Sequence, residues 1–78
     1  MEIKVLGPGC AKCKATVEAI DRVAKAKGAA VELTKVEGMR EIVSYGVMST
    51  PGVVIGGKVV HVGSVPSAAM IEGWLAGA

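Results

Sequence analysis

Phenylalanine is absent from this 78-residue chain, and Tyr45 and Trp74 are its only aromatic side chains. Any core must therefore be built from Val, Ile, Leu, Ala and Met. Metal ligands are equally scarce. His61 is the single histidine, and Cys10 and Cys13 are the only cysteines, so one chain lacks the four ligands of a closed tetrahedral zinc site. An excess of one charge is missing too. Nine basic residues against seven acidic ones leave a formal net charge of +2. The lysines are interleaved with acids, which is the pattern of a solvated surface and argues against nucleic acid or an anionic membrane as a partner. No apolar run approaches the length of a signal core or a membrane span. Met1-Glu2-Ile3-Lys4 leads straight into a strand with no visible targeting signal, so the cytoplasm is the expected compartment. Repeats, linkers and low-complexity stretches are also lacking, and residues 1–78 are expected to form one domain.

What is present is apolar material, 51% of the residues, arranged with clear periods. Ile3-Lys4-Val5-Leu6 reads as a short strand ended by the breaker Gly7-Pro8-Gly9. From Cys10 to about Lys27 the pattern is helical. Cys13, Val17, Ile20 and Ala24 form a stripe with Val23 beside it. Glu18–Arg22 and Asp21–Lys25 have the favourable acid-before-base spacing of four on the outer face, and Gly28 is a natural stop. Val31 to Val36 reads as a second strand. A strand–helix–strand unit of this kind predicts parallel pairing through a right-handed crossover. A shorter helix follows from Gly38 through Tyr45, with Met39, Ile42 and Val43 expected against the sheet.

The second half has a different pattern. Val53-Val54-Ile55 and Val59-Val60-His61-Val62 are β-branched runs joined by Gly56-Gly57-Lys58. Paired glycines supply the positive φ angles of a tight hairpin turn, so this pair should be antiparallel. Ser67 is a suitable N-cap for a last helix to about Leu75, with Ala68, Ile71 and Leu75 as its apolar side. The order is βαβαββα, which predicts an α/β fold.

The chemistry concentrates at Cys10 and Cys13. Two residues separate them, and they stand where the first strand gives way to the first helix. A C-x-x-C at such a junction reads as a redox motif. Free N–H groups and the positive end of the helix dipole favour a thiolate on the first cysteine. One turn further in, the second is near enough to close a disulfide with it. Lys12 and Lys14 add positive charge that pushes the same way.

Met48-Ser49-Thr50-Pro51 precedes the third strand, and with the C-x-x-C it makes the chain resemble the small thioredoxin/glutaredoxin-like proteins called redox-active disulfide protein 2. The matching segments are Leu6 to Cys13, Tyr45 to Pro51, and Gly63-Ser64-Val65-Pro66-Ser67 leading to Trp74-Leu75. The resemblance implies a minimal thioredoxin fold, a four-stranded mixed sheet flanked by three helices, with a cis proline at Pro51 facing the dithiol. It also implies a cytoplasmic thiol–disulfide oxidoreductase that acts on protein disulfides. Cys10 would attack and Cys13 would resolve the mixed disulfide. Thr50 and Pro51 would orient an extended substrate, while Gly9, Lys12 and Met48 shape the rim of the site. No organic cofactor is implied, because the Cys10–Cys13 pair carries the electrons. The partners implied are a disulfide substrate and an unidentified reductase, and the chain is expected to be a monomer.

This chain departs from the family pattern at four places. One is that no aspartate lies in the first strand or the early helix, where thioredoxins keep a buried carboxylate to assist the second thiol. Ala11-Lys12 stands between the cysteines rather than Gly-Pro or Pro-Tyr, and Pro8-Gly9 takes the place of a tryptophan. The start of the last helix lacks the aspartate with which glutaredoxins hold glutathione.

Two other classes are compatible with the dithiol. A soft-metal carrier for copper, zinc or arsenic places a C-x-x-C at a similar loop–helix junction. Such domains carry a Met two residues before the first cysteine, where this chain has Pro8, and they end in a strand. A sensor of oxidants or arsenite would use the same dithiol for regulation.

Overall fold

Side chains alternate across a strand, and the first strand, β1 (Glu2–Leu6), is buried on both sides. Ile3 and Val5 point one way and Leu6 the other, so helices must cover both faces of the sheet. The computed structural model describes residues 1–76, and there β1 is followed by α1 (Ala11–Lys27), β2 (Glu32–Val36), α2 (Met39–Ser44), β3 (Gly52–Ile55), β4 (Lys58–Val62) and α3 (Ala68–Ala76). Positions 77–78 of the expected domain lie outside the described residues.

The strands form one mixed sheet in the order β2-β1-β3-β4. β1 runs parallel to β2, with Ile3 opposite Leu33 and Leu6 opposite Val36. β3 is antiparallel to both β1 and β4. The hairpin turns on Gly56 and Gly57, both at positive φ, and the register slips by one residue beside Val53 and Val54. α1 and α3 pack on one face, where Ile3, Val5 and Val53 meet Ile20, Ala24, Ile71 and Leu75. On the other face a smaller cluster joins Leu6, Val36 and Val54 to Ile42 of α2 and to Val47. This is the α/β arrangement of four strands and three helices expected from the sequence.

Helix boundaries follow the local chemistry. Cys10 takes the N-cap position of α1 in an extended conformation, and Gly28 ends the helix in the left-handed region, its N–H bonded to carbonyls of the last turn. The Ser67 hydroxyl accepts the Met70 N–H at 3.2 Å and so caps α3. Of the two expected pairs on α1, Asp21–Lys25 closes at 3.0 Å, and Glu18–Arg22 does not.

Some expectations about the interior need correction. Methionine takes no part in the core: Met1, Met39, Met48 and Met70 are all exposed. In α2 only Ile42 is buried, and Met39 and Val43 remain 60% and 59% exposed. In this six-residue helix Met39 is the first residue, one turn before the contact, and Val43 is turned about 100° from Ile42. On α1 Val17 packs half-buried against the core as expected, and Thr16, which the pattern did not mark, is fully buried. Thr16 is tolerated there because its hydroxyl donates to the Lys12 carbonyl at 2.8 Å. On α3, Ala68 is exposed and burial is carried by Ile71 and Leu75.

Ile20→Ala should therefore cost about 2–5 kcal/mol in urea unfolding, since its removed methyl groups leave a cavity between α1 and the sheet. Met39→Ala, at a position the periodicity assigned to the interior, should change stability by no more than about 0.5 kcal/mol.

Candidate active site: a dithiol at the first strand–helix junction

The C-terminal end of β1, the start of α1 and the turn before β3 converge on the two cysteines. Leaving β1, the chain turns through Gly7-Pro8-Gly9, and Gly9 adopts φ +90°, a conformation natural to glycine. Cys10 then caps α1 and lies exposed, while Cys13, one turn later, faces inward and is buried. Their sulfurs are 2.8 Å apart. An approach of less than one further ångström closes a disulfide bond, whose length is about 2.05 Å.

The two thiols are electrostatically unequal. The Cys10 thiol is lowered from its ordinary value, first by the hydrogen bond that the Cys13 S–H donates to it. The backbone N–H groups of Cys13 and Lys12 at the open end of the helix act in the same direction. Cys13 is raised, first by burial and then by the same hydrogen bond to Cys10, which favours its protonated form. At neutral pH the arrangement favours one exposed nucleophilic sulfur and one buried protonated sulfur beside it.

Why Cys13 can be buried there is explained by Gly7. A Cβ placed on Gly7 would lie 2.1 Å from the Cys13 sulfur and 3.7 Å from the Thr50 Cβ. The space of a missing side chain is thus the seat of the thiol. Gly7 has no positive φ, so its smallness serves packing rather than backbone freedom. Its N–H donates to the Val36 carbonyl at 2.9 Å, extending the β1–β2 ladder and holding the seat in place. In the sequence Gly7 reads only as a breaker. Its position directly after a strand and six residues before the inner cysteine is the available signal for a close approach.

The remaining predicted residues fall into two groups. Thr50 is half-buried against Gly7, and Pro51 is fully buried. The bond between them is cis, and the Pro51 carbonyl accepts the Gly63 N–H at 2.9 Å. That bond ties the turn before β3 to the loop after β4. Lys12 and Met48 stand outside the packed centre. Lys12 is exposed on the first turn of α1, and it enters the Cys10 electrostatics through its backbone N–H. Met48, two residues before Thr50, is 95% exposed. Gly9 is half-buried against the Glu37 carboxylate, whose Oε2 lies 3.2 Å from where a Cβ would be. Nothing in the sequence singled out Glu37, because chain separation hides its approach to Gly9.

His61 and Trp74 belong to a different part of the molecule. Their rings lie 6.3 Å apart, and His61 shares a 3.0 Å hydrogen bond with the Ser64 hydroxyl. Among the described residues, no three His, Cys, Asp or Glu side chains gather where they could hold a metal ion. No helix among them is long and apolar enough to cross a membrane.

Two experiments test this geometry. In Gly7→Ala the new methyl group must displace the Cys13 sulfur. Since a misplacement of one ångström can cost on the order of a hundred-fold, closure of the internal disulfide should slow by about that factor. An unchanged closure rate, read by quenching with an alkylating agent, would refute the seat. The second concerns pH. In the wild type, Cys10 should alkylate with an apparent pKa below that of a free thiol. Cys13→Ala removes the donor that stabilises the Cys10 thiolate, so that pKa should rise and alkylation at neutral pH should slow. Cys13→Ser, which keeps a donor, should fall between the two.

Comparison with known proteins agrees with this architecture. The family model described as the thioredoxin domain matches residues 1–76. A thioredoxin of Methanocaldococcus jannaschii is 34% identical over 70 residues, covering 90% of this chain and 80% of that protein.

Proposed function

Because the chain belongs to the thioredoxin-domain family, we propose that Cys10 and Cys13 act as the redox pair of a thiol–disulfide oxidoreductase working on protein disulfides. The observation that carries this reading is the 2.8 Å pair of unequal thiols, one exposed at a helix end and one buried beside it.

The exposed Cys10 thiolate attacks one sulfur of a substrate disulfide, and the other substrate sulfur leaves as a thiolate. A mixed disulfide between Cys10 and the substrate results. Cys13 then attacks the Cys10 sulfur, the internal disulfide forms, and the second substrate sulfur is released. The substrate gains two electrons and the dithiol loses two, so no organic cofactor is required. A reductase of unidentified kind must restore the dithiol.

Thr50 supports substrate binding in this scheme. It precedes a proline, which has no N–H, and its own N–H and C=O would pair with an extended segment of the substrate. Pro51 closes the site behind it. Gly9, Lys12, Met48 and the Ser64 loop form the rim, and the free Met48 side chain offers an adaptable apolar contact to a docking partner.

Equilibration of the protein with defined dithiol/disulfide buffers tests the reading, the fraction oxidised being read by alkylation and mass. A two-electron transition in the range of roughly −200 to −270 mV, where glutaredoxins and thioredoxins lie, is expected. Failure to form an internal disulfide under these conditions would overturn the proposal.

A further inference from the structure

The chain as a whole is nearly balanced in charge, but the two sides of the dithiol are not alike. β1 leads into Cys10, and the sheet order places β2 on one side of it and β3 with β4 on the other. On the β3 side the chain carries no Asp, Glu, Lys or Arg from Ile42 to Gly57, nor from Val59 to Ile71. Those stretches hold Thr50, Pro51 and the loop from Gly63 to Ser67. The surface on which an extended substrate would pair is therefore free of these charges.

The α1 and β2 side is built differently. Lys12 stands exposed between the cysteines on the first turn of α1. A cavity of ≈ 40 Å³ beside Cys13 is lined among others by Gly7, Gly9, Lys14, Lys35 and Glu37. Register brings Lys35 there: it pairs with Val5 of β1, Val5 packs on the α1 face, and paired residues share a face. Lys14 and Lys35 are both exposed. Glu37, which follows β2, is the one carboxylate of this group, so three lysines stand against one acid. The next charges along the chain, Arg40 and Glu41 on α2, offset each other. The lysines are also unpaired. Among the described residues the one ion pair is Asp21–Lys25, further along α1, so no salt bridge neutralises Lys12, Lys14 or Lys35. No acid stands in the first turn of α1, and the positive end of its dipole adds to the field.

We propose that this one-sided charge selects the substrate: the protein acts on disulfides whose cysteines are flanked by aspartate or glutamate, with those acids turned toward Lys12, Lys14 and Lys35 and the backbone lying on Thr50. The inference rests on the reading of Cys10 as the attacking thiolate. Attraction to the lysines speeds the encounter that precedes attack, and it offsets the repulsion between that thiolate and an anionic partner. One exposed charge pair is worth a factor of about 1.5 to 5, and several lysines on one side compound it. A basic partner is repelled from the lysine side and finds no compensating acid on the other. The exchange chemistry is the same for every substrate. The lysines set which disulfide reaches Cys10 most often.

Three symmetric aliphatic disulfides make the test, because they differ in charge and react by the same exchange. They are dithiodipropionate, a dianion; bis(hydroxyethyl) disulfide, which is neutral; and cystamine, a dication. The rate at which each oxidises the reduced protein is read by acid quench, alkylation and mass. Dividing it by the rate of the same disulfide with mercaptoethanol removes intrinsic reactivity. At low salt the corrected rates of the wild type should favour the dianion over the dication by about ten-fold, with the neutral disulfide between. At 1 M salt, where charges are screened beyond about 3 Å, the preference should vanish. Lys14→Gln/Lys35→Gln should reduce it by about five-fold, and Lys14→Glu/Lys35→Glu should reverse it. Lys27→Gln/Lys58→Gln removes the same charge from the end of α1 and the start of β4, away from the dithiol, and should keep the preference. Equal corrected rates for the three probes in the wild type would overturn the proposal. So would a preference that survives in the Lys14/Lys35 variants, or one that the Lys27/Lys58 variant loses to the same extent. If none of the probes produces an internal disulfide, it is the redox reading of Cys10 and Cys13 that fails, and the selection with it.

Discussion

The packing of one sulfur against one glycine is the contact on which the site depends. Cys13 occupies the volume that a side chain on Gly7 would fill, and this lets α1 begin close against the end of β1. Burial in that seat keeps Cys13 protonated, and the protonated thiol stabilises a thiolate on Cys10. The asymmetry of the pair is therefore a consequence of packing. A looser junction would leave two exposed and similar thiols, neither prepared for a distinct role.

The sheet order explains why the other parts of the site assemble here. β1 is a central strand, paired with β2 on one side and β3 on the other. The turn that leaves its C-terminal end lies between the end of β2, which contributes Lys35 and Glu37, and the turn into β3, which contributes Thr50 and Pro51. The parallel pairing of β1 with β2 brings the exits of both strands to the same edge of the sheet. Because β3 runs antiparallel to β1, its beginning comes to that edge as well. Three segments distant in sequence thus meet at the first turn of α1. This convergence suits a thiol–disulfide exchange site, which needs a nucleophile, a resolving thiol and a surface for an extended partner close together.

Much of this was legible from local patterns. The strand–helix–strand opening, the Gly56-Gly57 hairpin, the Gly28 stop and the Ser67 cap all follow from short-range chemistry, and each appears where its residues imply. The approach of Cys10 to Cys13 is likewise set by one turn of helix. The amphipathic reading failed where an element was too short to bury what its period allows. In α2 the periodicity marked Met39, Ile42 and Val43, but contact with the sheet is limited to Ile42. The expectation of a methionine-containing core failed for a related reason: enough Ile, Val and Leu point inward from the strands, the helices and Val47 to fill both layers.

The sequence by itself determined the order of elements, the parallel and antiparallel pairings, and the presence of a dithiol at a helix start. These depend on residues a few positions apart, whose preferences act within one strand, turn or helix. Tertiary structure alone decided that Gly7 would seat a thiol rather than merely end a strand. It also decided that Glu37 would lean on Gly9 beside the same cavity, and that Met48 would stand free while Pro51 was buried. Those outcomes turn on distances between segments separated by many residues, and such distances exist only once the sheet has set its register.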